Sequence, residues 1–591
     1  MYYGGGNFTK VNNASTPLPF EFVTLYLRGR TDGFALKGGD ATSGTLTTMY
    51  DGERPLCSIA GTCQRHGNHT YQPMNKKGAI ILATGGDNSN GAQGKFYEGY
   101  MVTGVTTDAT DELVQANIVA VGYRTAAQAA QAAQAAQAAA PRAVPTPVQL
   151  AWHGHFGAIF HYHLATDALQ TGHGCGRGNW AAAADPKTFG RALAGGACPD
   201  TDAWLDAVVA GGMDYAVLVA KHNCGFATWP TAATLPGGAP YPYSIAHSSA
   251  PAGCDVVARF LASCAARGVR PGLYYSFGTN MFLNTQGGVV SNATLMPGQA
   301  LVTQQEFFDI VLFQIEELWR RAPLFEIWAD GGIPEDPYLR AGLASLRAKY
   351  QAGAVFYNGF PTFNDTAVRW IGSEDGAAPD PTWSSGSCNM GNGGHGPLPQ
   401  GGDPDSPSWC PAEVDSTLQA NDSWFWQPPE VNPLNSLASL AASYHASIGR
   451  NSNWLLGLSP APNGTLAPEH ASLLSQLGAW VAKCYGAPPV ASGAMAPGAT
   501  QLSVAVPGGG SARANRARLR EDQTDGQLVR AYNLTAALAG GGSVLVASGT
   551  SVGAGKIDLW AMEVVATGFT LVTDAAPRGL TLEVFSCADP Q

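Results

Sequence analysis

The sequence predicts a multidomain α/β and β protein. A TIM-like (β/α) barrel is expected over residues 150–487, a C-terminal β-sandwich over 488–591, and a β-rich segment over 1–123. Three observations carry this. From Leu150 onward, short apolar runs alternate with amphipathic helical stretches, the pattern of a parallel sheet covered by helices. Polar, aromatic and acidic residues recur just after those runs, where the βα loops of a barrel build a site. Beyond residue 488 the helical periodicity stops, and short strand-like runs follow one another between Gly-rich turns. A chain of 591 residues is in any case too long for one core.

In chain order, the N-terminal segment offers strands over 20–27, 34–36, 44–50 and 78–84, between Gly and Asp turns. Residues 124–149 form a linker: Ala-Ala-Gln repeats run from Ala126 to Ala140, and Pro141, Pro145 and Pro147 follow. Ala favours helix, but no amphipathic face exists to bury, so an extended Pro segment is expected at its end. Barrel strands are expected at 157–160, 215–220, 270–275, 324–328, 354–357, 369–372 and 453–458. Helices are expected at 202–210, 254–267, 304–321, 338–350 and 434–448, with Asp202 and Thr303 in N-cap positions. A doubly wound sheet is the alternative, and the polar residues after so many strands favour the barrel. The last domain reads as strands over 500–506, 516–519, 527–534, 543–548, 557–565, 569–573 and 579–585.

Composition bounds the function. The net charge is −11 and no basic run occurs, which argues against nucleic acid as a partner. No apolar stretch has the roughly 18 residues of a membrane span. The opening Met1-Tyr-Tyr-Gly-Gly-Gly has neither the basic nor the apolar region of a signal peptide. Eight Asn-X-Ser/Thr sequons, at Asn7, Asn13, Asn68, Asn292, Asn364, Asn421, Asn463 and Asn533, in a chain of 11 cysteines nevertheless point to the secretory pathway. The expected location is extracellular, in a cell wall, or in a lysosome or vacuole. An odd cysteine number leaves at least one unpaired within the chain. Cys57 with Cys63 could close a small loop, and Cys388 with Cys410 a longer one. No CxxC or HExxH spacing occurs, so neither a metal nor a cofactor is expected.

The candidate site is organised around Pro323-Leu-Phe-Glu-Ile-Trp-Ala-Asp330-Gly-Gly, a short buried strand with a carboxylate just past its end. Alone, an Asp-Gly pair is most often a turn. Other strand ends carry His161-Tyr162-His163, then Lys221-His222-Asn223 with Trp229, then Tyr274-Tyr275-Ser276, and Glu374-Asp375. Aromatic faces, imidazoles, a lysine and two carboxylates on one rim describe a sugar pocket, since rings stack on a pyranose and polar side chains bond its hydroxyls. Two carboxylates suffice for glycoside hydrolysis.

Two stretches resemble known families. Residues 85–99, GGDNSNGAQGKFYEG, with 108–123, DATDELVQANIVAVGY, resemble family 54 α-L-arabinofuranosidases. This likeness implies a jelly-roll-like catalytic fold with Asp87 as general acid. The family's nucleophilic Glu lies upstream of the matched stretch. Residues 1–123 are therefore expected to be a partial, inactive remnant or a truncated gene model. Residues 150–590 resemble family 29 α-L-fucosidases in the segments Phe156–His161, Ala220–Trp229, Glu326-Ile-Trp328-Ala-Asp330-Gly and Arg369-Trp-Ile-Gly-Ser-Glu374-Asp-Gly with Trp383-Ser384. The last motif, with Trp409-Cys-Pro-Ala-Glu413-Val-Asp and Asp422-Ser-Trp424-Phe-Trp426, resembles the plant-type branch acting on α-1,3/1,4-linked fucose. Asn453-Trp-Leu-Leu-Gly-Leu-Ser-Pro resembles the family's last barrel strand. Departures occur at Asn223 and Cys224, where the family has His and Asp, and at Tyr162-His163, where it has Trp-Gly.

The resemblance implies a retaining exo-glycosidase that removes terminal α-L-fucosyl residues from an oligosaccharide or glycoprotein glycan. Asp330 would be the nucleophile and Glu374 the acid/base, kept protonated by burial or by the charge of Asp330, with the carboxyls roughly 5–5.5 Å apart. His161, Lys221, His222, Asn223, Trp229, Tyr275, Trp328 and Arg369 would bind substrate. Asp375 and Glu413 are the rival acids, Glu413 being expected to hold a loop or a leaving-group sugar. The alternatives are an arabinofuranosidase or dual-activity cell-wall glycosidase, and a non-catalytic carbohydrate-binding protein.

Overall fold

The computed structural model describes residues 18–30, 33–53, 96–123, 143–169, 172–193, 196–359, 362–388 and 401–590. The chain divides into two compact units, 1–140 and 141–591. In the first, β1 (Val23–Gly29), β2 (Gly33–Asp40) and β3 (Thr47–Glu53) form an antiparallel sheet in that order. Helix α1 (Asp108–Val121) lies within the segment expected to be β-rich, where no helix was expected. Its signals are local: Thr107 caps it by accepting the Thr110 N–H, Asp108 and Asp111 sit in its first turn, and Gly122 ends it at φ 75°. Lys37 of β2 joins helix to sheet through ion pairs with Asp108 (2.7 Å) and Asp111 (2.9 Å). The expected strand at 78–84, the Cys57 and Cys63 pair, and Asp87 lie outside the described residues.

The second unit holds the barrel. Its strands are β4 (Phe156–Phe160), β5 (Tyr215–Lys221), β6 (Arg270–Ser276), β7 (Glu326–Asp330), β8 (Val355–Tyr357), β9 (Ala367–Trp370), β10 (Ala412–Thr417) and β11 (Ser452–Leu458). Each pairs in parallel with the next, and β11 closes on β4. Around them run α3 (Thr201–Ala210), α4 (Val256–Arg267), α5 (Gln304–Trp319), α6 (Pro337–Tyr350), α7 (Leu437–Ser447) and α8 (Pro468–Val481). In chain order between α1 and α3, α2 (Pro147–Trp152) is a short helix where an extended Pro segment was expected. Pro147 lies in its first turn, where a missing N–H costs nothing, and Thr146 and Gln149 form a capping box. The indole of Trp152 enters the barrel floor, its Nε1–H facing Glu326 at 3.4 Å.

Strand alternation sorts the barrel side chains into two layers. Ile159, Tyr215, Val217, Val219, Tyr274, Trp328, Tyr357, Val368 and Leu455 fill the interior, while their chain neighbours pack against the helices. Strand β10 was missed because its sequence, Ala-Glu-Val-Asp-Ser-Thr, is polar at the inward positions; all six residues are buried. Asp200, not Asp202, caps α3. Asp202 instead pairs with Arg267 of α4 at 2.7 Å. Thr303 caps α5 with a full capping box through Glu306.

The C-terminal part is antiparallel: β12 (Ala491–Met495), β13 (Gln501–Ala505), β14 (Ala512–Glu521), β15 (Tyr532–Leu538), β16 (Ser543–Gly549), β17 (Lys556–Thr573) and β18 (Leu580–Phe585). The order is β12-β18-β14-β17-β15-β16, with β13 added on β17, around a core of its own. The 557–565 and 569–573 runs are one 18-residue strand. Disulfides join Cys175–Cys224, Cys198–Cys254, Cys388–Cys410 and Cys484–Cys587, and Cys264 is buried and free.

Candidate active site

Asp330 is the last residue of β7 and shares the inward register of Glu326 and Trp328. Gly331 and Gly332 follow at φ 72° and 73°, turning the chain away directly behind the carboxylate. A Cβ on Gly331 would meet Gly278 Cα at 3.3 Å, so the exits of β6 and β7 run backbone against backbone there. The Tyr274 hydroxyl, from β6, donates to Asp330 Oδ2 at 2.5 Å. Burial and the adjacent Asp330 charge push that phenol well above its usual range, so it stays a donor.

Beneath the carboxylate lies a stack of rings. His222 lies parallel to Tyr274 at 5.5 Å, Tyr274 to Trp328 at 5.5 Å, and Trp328 to Tyr357 at 3.5 Å. His161, directly after β4, stands 5.8 Å from His222, 5.0 Å from Trp424 and 5.3 Å from Phe425. Its Nδ1 is buried without a partner, and burial, then the neighbouring His222 and His163, hold the imidazole well below its usual titration range. Glu374, beyond β9, is exposed where burial was expected. The Trp424 indole N–H donates to its Oε2 at 3.0 Å. Trp424 itself sits against Gly457, where any Cβ would collide with the ring.

The structure gathers Asp330, Glu374, His161 and His222 with Tyr274, Trp424 and Phe425. It gives the other expected ligands different work. Lys221 is fully buried at the inner end of the pocket and donates to the Ser276 carbonyl at 2.6 Å. Burial lowers its ammonium to about 7, against the pull of Asp330. Trp229 is fully buried and donates to Glu317 Oε2 at 3.0 Å, fixing a loop to α5. Tyr275 points outward to Gln314 at 2.7 Å, because the inward position on β6 is Tyr274. Arg369 is also turned outward: it donates to the carbonyls of Cys410 and Trp383, and burial alone lowers it to about 10. Trp328 lies under the pocket and donates to Glu413 at 3.0 Å. Asn223 faces His222 and the Cys175 backbone. Asp375 accepts from Ser373 and the Ala377 N–H in a local turn.

Glu413 holds neither a loop nor a sugar. It lies on the barrel floor beside Glu326, accepting from Tyr215 (2.8 Å) and Trp328 (3.0 Å). Burial raises Glu413 to about 7, against those two bonds and a third with Glu326, and burial with the adjoining Glu413 raises Glu326 well above the carboxylate range. Above them on the same strand, Asp415 accepts from Trp370 at 2.8 Å. It is held well above its usual range by burial, with Glu374 and Glu413 adding to the effect. Sequence reasoning placed Tyr274 on the rim but took Tyr275 as the ligand, and it gave Asp415 and Trp370 no role in the pocket; strict alternation from Glu413 would have found Asp415.

Among the described residues no cluster of His, Cys, Asp or Glu has the arrangement of a metal site, and no helix is long and apolar enough to cross a membrane.

Comparison with known proteins identifies the barrel. Residues 199–486 match the family model described as alpha-L-fucosidase. This part of the chain is similar to the α-L-fucosidase family. A Bacteroides thetaiotaomicron structure assigned as an α-L-fucosidase superposes with a TM-score of 0.63 at 26% identity, over 76% of this chain and 100% of that one. A Ruminococcus gnavus family 29 fucosidase in complex with fucose shares the fold, with a TM-score of 0.60 at 17% identity over 76% and 96% of the two chains. The barrel and the sheet that follows it thus share the fold of these solved structures. Residues 1–124 match the catalytic model of alpha-L-arabinofuranosidase B. The Hypocrea jecorina α-L-arabinofuranosidase is 50% identical over 116 residues, which are 20% of this chain and 21% of that enzyme. The chain spans about a fifth of the length of the arabinofuranosidases it matches.

Against the fucosidase pattern, the Cys at 224 has a structural reason. Cys224 is bonded to Cys175, tying the loop after β5 to the loop after β4.

Proposed function

We propose that the pocket at the carboxyl ends of β4–β9 is the active site of a retaining exo-α-L-fucosidase acting on α-1,3/1,4-linked terminal fucose. The observation that carries this reading is Asp330, held by the Tyr274 hydroxyl at the mouth of an aromatic and imidazole pocket whose outer edge bears Glu374. Asp330 attacks the anomeric carbon while Glu374 protonates the leaving oxygen. Water then cleaves the glycosyl-enzyme with Glu374 as base. The Tyr274 hydroxyl orients the free carboxylate. Trp424 orients Glu374 and offers its ring beside His161 to the apolar face of the sugar. His161 and His222 supply nitrogen partners for hydroxyls.

Passage through the secretory pathway suits the four disulfides among the described residues and the sequons there at Asn292, Asn364, Asn421, Asn463 and Asn533, all exposed. The arabinofuranosidase-like unit is read as inactive by itself. Turnover of an aryl α-L-fucoside tests the scheme. Asp330→Ala and Glu374→Ala should each fall by about 10²–10⁴-fold or more, with azide restoring part of the Glu374→Ala rate. Near-native activity in Asp330→Ala would remove the proposed nucleophile. Binding of fucose with no hydrolysis by the native protein would favour a carbohydrate-binding role.

A further inference from the structure

His222 is placed to meet substrate, and the residues behind it differ from the family pattern at two adjacent positions, Asn223 and Cys224. The structure joins those two departures in one arrangement. Asn223 Oδ1 lies 2.9 Å from the backbone nitrogen of Cys175 and 2.8 Å from His222 Nδ1. A backbone N–H can only donate, so the atom of the Asn223 amide facing it is the oxygen. That oxygen has no proton to give, so His222 Nδ1 must be the donor in the second bond. The Nε2 atom then carries the lone pair. Nε2 has no hydrogen-bond partner among the described residues, and the ring, stacked on Tyr274 beside Asp330, is half-buried.

Two further features keep the oxygen where it is. The Cys175–Cys224 disulfide ties the Cys175 backbone to the residue after Asn223. Gly174 passes so close to the pair that an added Cβ would collide with both Asn223 Oδ1 and His222 Nδ1. We propose that Asn223 is a positioning residue rather than a sugar ligand. It holds His222 in a single tautomer, with the proton on Nδ1 and the Nε2 lone pair open to accept a substrate hydroxyl, and Gly174 and the Cys175–Cys224 bridge hold it in place. The inference rests on the fucosidase reading only for what Nε2 accepts from; the tautomer itself does not depend on it.

The test reads tautomer and kinetics separately. Full-length protein labelled with ¹⁵N in its histidine rings is examined by NMR without substrate, the His222 signals being those lost in a His222→Gln variant. The native protein should show Nδ1 protonated and Nε2 bare. Asn223→Ala should lose that preference and raise KM for an aryl fucoside about tenfold, with a smaller change in kcat. Asn223→Asp keeps the acceptor, so it should restore the Nδ1 proton. Its added negative charge should move the acidic limb of kcat/KM to higher pH. The titratable groups facing His222 are Lys221, Asp330, Tyr274, His161 and His163, and all remain in both variants. Gly174→Ala should resemble Asn223→Ala, which covers the case in which a position-223 variant fails to fold. An Nε2 proton in the native protein, or an Asn223→Ala variant with unchanged ring signals and KM, overturns the proposal. A native protein that shows the predicted tautomer but cleaves no aryl fucoside supports the positioning role and overturns the fucosidase reading instead.

Discussion

The carboxyl pair on the barrel floor makes stability depend on pH in a direction opposite to that of an ordinary salt-bridged acid. Glu326 and Glu413 share a hydrogen bond, Trp152, Tyr215 and Trp328 donate to them, and no lysine or arginine among the described residues bonds either. Burial holds the Glu413 proton up to about pH 7. In the unfolded chain it leaves near pH ~4.3. Between those values the folded state binds more protons than the unfolded one, so stability is full below pH ~4.3 and falls as pH rises towards 7. The difference corresponds to about 3–4 kcal/mol from this residue. Unfolding entropy is about 2.1 cal/mol/K per residue, or roughly 1 kcal/mol/K for a unit of this size, so the effect is about 3 °C in Tm. Glu413→Gln removes the titration while leaving an oxygen for the Trp328 N–H. Thermal unfolding of both proteins at a fixed scan rate, at pH 5 and pH 8, measures it. The variant should gain about 3 °C relative to the native protein at pH 8 compared with pH 5. An equal difference at both pH values would refute a buried proton at this site.

Three other outcomes follow from the site. Tyr274→Phe removes the hydroxyl bonded to Asp330 and should lower kcat/KM for an aryl fucoside by about 10–100-fold, the range for a bond to a charged group, while the fold persists. Tyr275→Phe, one residue on, loses a bond to Gln314 on the helix side; it should cost about 1 kcal/mol in denaturant unfolding and leave KM unchanged. The full chain should release no arabinose from an aryl arabinofuranoside, and measurable release would give the N-terminal unit an activity of its own.

Much of the fold was legible because barrel strands buried on both faces read as continuous apolar runs, and seven of them stand out that way. The eighth did not, because β10 turns Glu413 and Asp415 into the interior and so reads as a polar loop. The same cause hid part of the site. Motif likeness marks Tyr275, Trp229 and Arg369 beside Asp330 and Glu374, but alternation turns Tyr275 and Arg369 away from the pocket, and Trp229 is fixed to Glu317. Asp330 and His222 were legible because each follows an unmistakable strand. The work of Asn223 was not, since it depends on Cys175 and Gly174, nearly fifty residues earlier in the chain.

On the proposed mechanism, Asp330 forms a covalent bond with a fucosyl group during turnover. A fluorinated fucosyl fluoride, which slows the second step more than the first, should trap that species. Peptide mass mapping of the inactivated protein should then place a single fluorofucosyl label on Asp330. Absence of a label from an enzyme that turns over aryl fucoside, or a label on Asp375, Asp415 or Glu413, would contradict the account.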